Sequence, residues 1–556
     1  MKHFYGIRRW TRAYSGATTL VFMVMASAAW SQPASTATDN LTYTHSAKAG
    51  DTLIHLAKRY LIKPQNWQSL QKLNKITDPH RIRPGTPIRI PLSDMKTTPA
   101  IANVVSLEGP VESTAGKLQV GSAISEGQGI KTGENGFVTL KLADGSTLVV
   151  QSKSQLRLEV ARTIANTGGV PVTRTALESG RVEAKIAKVQ KRGDAAGRFE
   201  IVTPTSNMGV RGTEFRVASD ADGKASRGEV LEGIVNVTGA AATKNLNLTA
   251  GFGTVVEKGK QPIQPVKLSA APDLQATAKL QERVLLRFKF AELSGASSYR
   301  AQVASDSAFT DLRAEGVFKI AEAKFADLAD GAYFLRVRAI DNNGIEGSDA
   351  VTPFRLKARP EPPFTSAPAN KSKFSGDSAM FNWASASEAA SYRFQLAHDT
   401  TFATLVADEK SHGGVSYTPA AKLTPGEYYW RAASVRKDGD NGPFGDVQSF
   451  MLKPVPAVPN PPKDEGDRIG FSWGAEPMQR FEFQLARDAA FKDLVMEKNL
   501  DKPEISIDKP GEAGTYFMRY RATDPDGFVA PFSSAQSFEV KGNYWWLMLL
   551  LVPLLF

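Results

Sequence analysis

The stretch Tyr392-RFQLAHDTTF-402 occurs three times in this chain with small variations, and it decides the fold of the C-terminal half. The other copies are Tyr299-RAQVASDSAF-309 and Phe481-EFQLARDAAF-491. Successive copies begin 93 and 89 residues apart. A period of about 90 residues is too long for a solenoid unit and suits a small β-sandwich. The sequence therefore predicts three consecutive sandwich modules, at residues 273–358, 364–453 and 463–541.

Two further landmarks recur around each copy. A strand-ending aromatic residue precedes each copy: Phe290, Trp383 and Trp473. A Gly-x-Tyr strand start follows each copy: Gly331-Ala-Tyr333, Gly426-Glu-Tyr428 and Gly514-Thr-Tyr516. Proline-rich segments at 359–363 and 453–462 have the composition of semi-rigid spacers between modules. We expect immunoglobulin- or fibronectin-III-like modules whose role is structural, with Trp383 and Trp473 in their cores.

The composition excludes several classes of function. The 556 residues allow about four domains, and 42% apolar residues indicate globular material. A net charge of +11 is a mild excess that fits an anionic wall or membrane surface. No run of five or more Lys/Arg occurs, so nucleic acid is not an expected partner. The absence of cysteine excludes disulfides, Cys-ligated zinc and thiol nucleophiles.

The N-terminal 31 residues have the order of a secretory signal. Basic residues within 1–12 precede an apolar core at 20–25, and small residues follow at 26–31. Cleavage after Ala28 or after Ser31 fits equally, and an uncleaved anchor helix is the alternative. A secretory signal places the protein in the periplasm or cell envelope.

The C-terminal segment at 542–556 is strongly apolar. No charge occurs from Tyr544 to Phe556, and Tyr544, Trp545 and Trp546 stand together at its start. Aromatic residues of this kind favour the headgroup level of a membrane. A helix of this length reaches about 20 Å, short of the ~30 Å hydrocarbon core. We expect a membrane-associated tail, with a buried element of the last sandwich as the alternative.

A compact mixed unit is predicted at residues 41–94. Leu53, Leu56, Ala57 and Tyr60 recur at helical spacing. Either Asp51 or Thr52 can cap that helix, and Pro64 begins a second helix that carries Trp67 and Leu70. Ile88 and Ile90 alternate in a closing strand. The pattern predicts a strand–helix–helix–strand (βααβ) unit of about 50 residues, near the lower limit for independent folding.

This unit resembles the LysM family over Tyr43-THSAKAGDTLIHLAKRY-60 and Asn66-WQSLQKLNKITDPHRIRPGTPIRIP-91. The resemblance implies binding of peptidoglycan, through N-acetylglucosamine glycans held in a shallow groove between two loops. The resemblance implies that the methyl of the acetyl group contacts the apolar side chain of Leu53, Ile76 or Ile82. The implied glycan-binding residues are Gly50, Asp51, Thr52, Leu53, Asn74, Ile76, Pro79 and Ile82. The three histidines of the unit lack the spacing of metal ligands, so no metal site is expected.

A β-domain is predicted at residues 101–260. Its clearest hairpin is Phe137-VTLKLADGSTLVV-150, in which Asp144-Gly145 supplies a tight turn and polar Thr139 and Lys141 alternate with apolar residues. The segments Gly127–Val150, Phe199-EIVTPTSNMGVRGTEFRV-217 and Gly228-EVLEGIVNV-237 resemble the FecR domain.

The FecR resemblance implies an envelope protein partner at 101–260. Only about a dozen residues precede the apolar N-terminal core, so the resemblance is carried over for the fold and not for anti-sigma activity. Arg211 either contacts a partner or satisfies groups within a turn.

Motifs for catalysis are missing from the sequence. It holds no Cys nucleophile, no His-Glu-x-x-His motif and no Gly-x-Ser-x-Gly elbow. The expected protein is a multidomain, mostly β, non-catalytic cell-envelope protein that needs no cofactor and binds peptidoglycan, with its β-modules as a scaffold or sensing surface. The alternatives are a FecR-like signalling receptor and a peptidoglycan hydrolase, because a pair of carboxylates can escape motif analysis.

Overall fold

The computed structural model describes residues 41–114, 116–188, 198–210, 212–240 and 245–542. Strands dominate, and the two α-helices of the described residues lie near the N-terminal end, which confirms the predicted mostly β fold with one small α+β unit. The predicted secretory segment, Arg211 and the apolar tail from residue 543 onward lie outside the described residues. Within the described part of the chain, no helix combines the length and apolar character that a membrane span requires.

The first unit has the predicted βααβ order. Its elements are β1 (Thr42–Ser46), α1 (Leu53–Tyr60), α2 (Trp67–Asn74) and β2 (Pro87–Pro91), with 3-10 turns at Pro64–Asn66 and Leu92–Asp94. β1 and β2 pair antiparallel, and Tyr43 lies opposite Ile90. The buried face of α1 consists of the four residues predicted from helical spacing. The helices therefore form because an apolar stripe is covered by a two-stranded sheet.

The second unit is a single extended sheet of seventeen strands. Its first strands are β3 (Thr97–Pro99), β4 (Ala102–Glu108), β5 (Val111–Ser113), β6 (Ala123–Ile124), β7 (Gly129–Thr132), β8 (Phe137–Lys141), β9 (Thr147–Val150), β10 (Gln155–Ile164) and β11 (Val170–Lys185). The others are β12 (Arg198–Val202), β13 (Ser206–Val210), β14 (Glu214–Ser219), β15 (Ala225–Glu232), β16 (Ile234–Gly239), β17 (Asn245–Thr249), β18 (Phe252–Glu257) and β19 (Val266–Lys267).

Two features organise this sheet. The β8–β9 hairpin closes at the predicted Asp144-Gly145 turn, where Gly145 has a φ of 87°. The long strand β11 pairs with β10 and β12 along its first part and with β9 and β14 along its second part. β11 therefore joins the two halves of the unit.

Three two-sheet modules follow. The first contains β20 (Leu280–Gln281), β21 (Leu286–Lys289), β22 (Ser298–Ala304), β23 (Leu312–Phe318), β24 (Glu322–Phe325), β25 (Gly331–Ile340) and β26 (Ala350–Leu356). The second contains β27 (Thr365–Ala367), β28 (Ser372–Ser375), β29 (Phe381–Trp383), β30 (Ser391–Ala397), β31 (Leu405–His412), β32 (Ser416–Tyr417), β33 (Gly426–Val435), β34 (Asn441–Phe444) and β35 (Gln448–Lys453). The third contains β36 (Lys463–Asp464), β37 (Arg468–Ser472), β38 (Arg480–Ala486), β39 (Leu494–Leu500), β40 (Glu504–Asp508), β41 (Gly514–Thr523) and β42 (Gln536–Val540).

A shared turn explains the repeated sequence motif. In the third module, Asp488 accepts backbone N–H groups of Ala490, Lys492 and Asp493. Phe491 then adopts a left-handed φ of 56°, and equivalent phenylalanines in the first two modules have φ values of 54° and 59°. The aspartate offsets the cost of this conformation by satisfying the turn amides.

The repeated phenylalanine also positions an arginine of the central strand. The Arg519 guanidinium lies 4.0 Å from the Phe491 ring centre, and its Nε donates to Gln484 at 2.8 Å. The other two modules repeat this arrangement: Arg336 with Phe309 and Gln302, and Arg431 with Phe402 and Gln395. The motif therefore encodes one local structure three times.

The LysM-like unit packs directly on the extended sheet. Four apolar side chains of β10 and β11, namely Val160, Ile164, Val170 and Val172, belong to the same buried cluster as the core of the first unit. Arg59 and Asn166 also exchange hydrogen bonds across this boundary, at 3.1 and 2.9 Å. Removing residues 41–94 would therefore expose apolar surface on the sheet, so point substitutions are the cleaner way to test the unit.

The extended sheet also packs on the first sandwich module. Phe137 and Val149 form a buried cluster with Phe309 and Leu312. Beside it lies an ion-pair network in which arginines and carboxylates of both domains alternate. Its members are Arg181, Glu183, Arg216, Arg300, Arg336, Arg338, Glu346 and Asp349. The first three units are therefore joined by buried contacts.

Candidate functional site

The predicted site is built from two loops of the LysM-like unit that the fold holds together. The first loop, 47–52, precedes α1, and the second, 75–86, connects α2 to β2. The backbone N–H of Leu53 donates to the Pro79 carbonyl at 2.9 Å. At the far end, Ala47 exchanges backbone hydrogen bonds with Gly85 and Thr86 at 2.7 and 2.9 Å. The loops are thus pinned at two points.

The first loop is shaped by Asp51. Its carboxylate accepts the Lys48 backbone N–H at 2.7 Å and contacts His45 Nε2 at 2.8 Å. Burial raises the pKa of Asp51, but these two hydrogen bonds outweigh it and hold the pKa below the ordinary value. Gly50 lies exposed with a φ of 87° and open space where a Cβ would stand. Asp51 therefore acts on the loop conformation, and Gly50 keeps the backbone accessible.

The structure decides between Asp51 and Thr52 as the N-cap of α1. The hydroxyl oxygen of Thr52 accepts the His55 backbone N–H at 3.1 Å, and its backbone is extended, as an N-cap requires. Thr52 is the cap of α1, whereas Asp51 is engaged by His45. The hydroxyl of Thr52 is thus already used inside the unit.

The second loop is fixed by Asn74. Its amide donates to the carbonyls of Leu70 and Arg89 at 2.9 and 2.8 Å and accepts the Arg89 N–H at 2.7 Å. Lys75 then ends α2 in a left-handed conformation, and Gln71 donates to the Ile76 carbonyl at 3.0 Å. The role of Asn74 is to attach the loop to β2.

The apolar candidates separate into two groups. Leu53 is fully buried and Ile82 is 7% exposed, so both side chains belong to the core of the unit and lie outside the accessible surface. Ile76 and Pro79 lie within the second loop and are half-buried. Sequence reasoning does not separate these groups, because an apolar residue in a loop fits either role. The accessible surface therefore consists of Gly50, Ile76, Pro79 and the surrounding backbone.

The chemistry of this surface suits an uncharged ligand. It combines exposed backbone groups with two half-buried apolar side chains, and its carboxylate Asp51 is already paired. Backbone N–H and C=O groups can pair with an amide, while an apolar patch can receive a methyl group. No group of His, Asp or Glu side chains among the described residues is arranged to hold a metal ion.

Two protein-family models match parts of this chain. The LysM domain model matches residues 45–91, and the FecR protein model matches residues 128–236. No curated protein matches the chain.

Among solved structures, one of an anti-sigma factor candidate from Parabacteroides distasonis matches with 15% identity and a TM-score of 0.20. The match covers 25% of this chain and 59% of that protein, so the chain spans about three fifths of its length. The chicken CNTN1 FN1–FN3 domains match with 13% identity and a TM-score of 0.20, over 49% of this chain and 98% of that one.

Proposed function

We propose that this chain, which contains a LysM domain and a FecR domain, is a non-catalytic cell-envelope protein that holds peptidoglycan. The observation that carries the proposal is the pinned pair of loops in the LysM domain, joined by the hydrogen bond from Leu53 to Pro79. The half-buried Ile76 belongs to the same loop as Pro79 and packs against the core of the domain. The loops thereby form a preorganised surface of backbone groups and apolar side chains.

This surface supports recognition of N-acetylglucosamine. The amide of the N-acetyl group pairs with loop backbone groups near Gly50, and its methyl contacts Ile76 and Pro79. Asp51, Thr52 and Asn74 act indirectly, since each holds a loop in place. One shallow surface with few polar contacts supports a Kd of about 10 μM to 1 mM.

The FecR domain and the first sandwich module form a packed extension of the LysM domain. Buried contacts join the LysM domain to the FecR domain and the FecR domain to the first sandwich module. We propose a scaffolding or sensing role for these domains in the envelope. The match of residues 128–236 to the FecR protein model favours a second function, in which the FecR domain recruits an envelope protein partner.

Substitution of Ile76 by lysine tests the glycan surface. Lysine removes the apolar seat and introduces a charge opposite the acetyl methyl. We expect the full chain carrying Ile76→Lys to lose about tenfold in affinity for purified sacculi, or about 1.4 kcal/mol. Sedimentation of the chain with increasing amounts of sacculi measures the loss.

Ile62→Lys is the matched control. Ile62 is 59% exposed in the same domain and follows the C-terminal end of α1, whereas the hydrogen bond that joins the two loops lies at the N-terminal end of α1. We expect this variant to sediment like the parent. Circular dichroism melts of both variants show whether the LysM domain stays folded. Equal sedimentation of folded Ile76→Lys and of the parent would exclude the proposed surface.

A further inference from the structure

A second concave surface lies between the LysM domain and the FecR domain. It is a cleft of about 840 Å³ between strand β1 and the outer face of the FecR-domain sheet. Its LysM wall is formed by Leu41–Thr44, Ser46 and Leu92. None of these residues belongs to the two loops of the proposed glycan surface. The volume falls within the range of about 300–1,000 Å³ that is typical of ligand sites.

The floor of the cleft carries polar, uncharged side chains in register. Asn207 of β13 lies opposite Thr238 of β16, and Thr238 lies opposite Asn245 of β17. Asn236 donates to Asn247 at 2.9 Å, and Thr238 donates to Asn245 at 2.8 Å. These side chains present amide and hydroxyl groups across three neighbouring strands.

The charged groups of the cleft are paired with each other. Arg198 forms a salt bridge with Glu200, and its Nη1 donates to the Thr42 carbonyl at 3.4 Å. Arg198 therefore spans the boundary between the LysM and FecR domains while its charge is compensated. Because Arg198 and Glu200 neutralise each other, neither is available to pair with a strongly charged ligand. The cleft therefore favours a neutral ligand.

Two features leave room and bonding capacity for that ligand. Gly209 stands in the middle of the floor, where an added Cβ would meet only the Glu200 side chain at 4.0 Å. The side-chain oxygen of Asn207 is buried and has no hydrogen-bond partner, so a donor on a ligand would relieve its cost. Beside them, Ile234 is 56% exposed and offers an apolar platform.

We propose that this cleft is a second binding site, for an uncharged N-acetylated glycan. Sugar hydroxyl and amide groups pair with the asparagine and threonine side chains of the floor. The apolar faces of the sugar rings and the acetyl methyl groups contact Ile234. The proposal rests on the proposed function for the class of ligand, since the LysM domain forms one wall of the cleft.

Photo-crosslinking to the full chain locates the bound glycan. The probe is an N-acetylglucosamine tetramer that carries a diazirine, and unlabelled tetramer serves as competitor. Mass spectrometry of the digested chain distinguishes labels on the two loops from labels on 41–46, 198–210, 234–240 and 245–247. The proposal expects competed labels in both regions.

Two variants separate the sites. Asn236→Arg fills the floor, and we expect it to reduce cleft labelling about tenfold while loop labelling is unchanged. Asn499→Arg, on an exposed strand of the third module, is the control and leaves both labels intact. Ile76→Lys reduces loop labelling alone.

Each outcome distinguishes the two proposals. Labels confined to the loops overturn the cleft site and leave the proposed function standing. Labels confined to the cleft overturn the loop surface instead. A peptidoglycan stem peptide that carries a diazirine serves as the comparison probe. If the peptide labels the cleft and the glycan probe does not, the ligand of the cleft is not a glycan.

Discussion

Replacing Glu346 with glutamine is expected to destabilise the FecR domain and the first sandwich module together, by about 3–5 kcal/mol. Glu346 is fully buried, and its carboxylate pairs with Arg181 and Arg216 of the FecR domain at 3.2 and 3.7 Å. It also pairs with Arg300 and Arg338 of the module at 2.5 and 2.9 Å. Glutamine keeps the shape of the side chain but leaves these guanidinium groups without their shared counter-charge.

Acid should weaken the same interface. Burial raises the pKa of Glu183, but Arg336 and Arg338 outweigh it and hold the pKa at about 2. A carboxylate whose folded pKa is depressed stabilises the fold above its unfolded pKa. Its contribution is therefore complete above about pH 4.5 and is lost as the pH falls towards about 2. Denaturant titrations at several pH values between these limits measure the loss.

Glu134→Gln is the control for the charge change. Glu134 pairs with Lys153 at 2.9 Å, and both side chains are largely exposed. Removal of an exposed pair is expected to change stability by less than about 1 kcal/mol. Calorimetry of the full chain compares the two variants with the parent. If the thermal unfolding transition of Glu346→Gln coincides with that of the parent, the buried network does not stabilise the interface.

Trp473→Ala is expected to cost about 3–5 kcal/mol and to unfold the third module. Trp473 is 4% exposed, and its ring stacks on Tyr520 and Phe483 with centroids 4.7 and 6.0 Å apart. Alanine would leave a large cavity at the centre of this core, because Phe481 also packs against the ring and all three aromatic neighbours would lose their contacts. In calorimetry, we expect the transition of the third module to shift while the transition of the FecR domain stays in place.

Met478→Ala provides the comparison within the same module. Met478 is 82% exposed, so its truncation removes little packing. We expect its melting curve to match that of the parent. If Trp473→Ala also melts like the parent, the tryptophan does not hold the core of this module, and its face would be a candidate contact surface instead.

The three modules could be predicted from sequence because their signal is local. Asp488, Phe491 and Gln484 lie within one short stretch, and together they specify a strand, a turn and the partner of Arg519. The same stretch recurs with each module, so its period gives the module length. Local motifs of this kind can be recognised in the sequence because they do not depend on contacts between domains.

Contacts between domains could not be predicted in the same way. Thr139 alternates with apolar residues like an exposed position of a half-buried strand. In the structure it is 2% exposed, and its hydroxyl donates to the Thr310 carbonyl of the first module at 2.6 Å. The alternation of polar and apolar residues indicates which face of a strand is buried in the core of its own domain. It carries no information about contacts with a neighbouring domain.

The candidate site was predictable at the level of loops but not of side chains. The order of residues around Asp51 and Asn74 is enough to place the two loops. Whether Leu53 or Ile76 lines the surface depends on how deeply each loop packs, and the structure buries Leu53 while leaving Ile76 half-exposed. The order of apolar residues in the sequence does not show how deeply each side chain is buried.

Release of the sacculus-bound chain by soluble glycan tests the central claim most directly. The net charge of +11 offers an electrostatic explanation for wall binding, and such attraction is screened at about 1 M salt. We predict that the chain stays with sacculi at about 1 M salt and is released by an excess of N-acetylglucosamine tetramer. Release by salt alone, with no effect of the tetramer at low salt, would contradict recognition of the glycan.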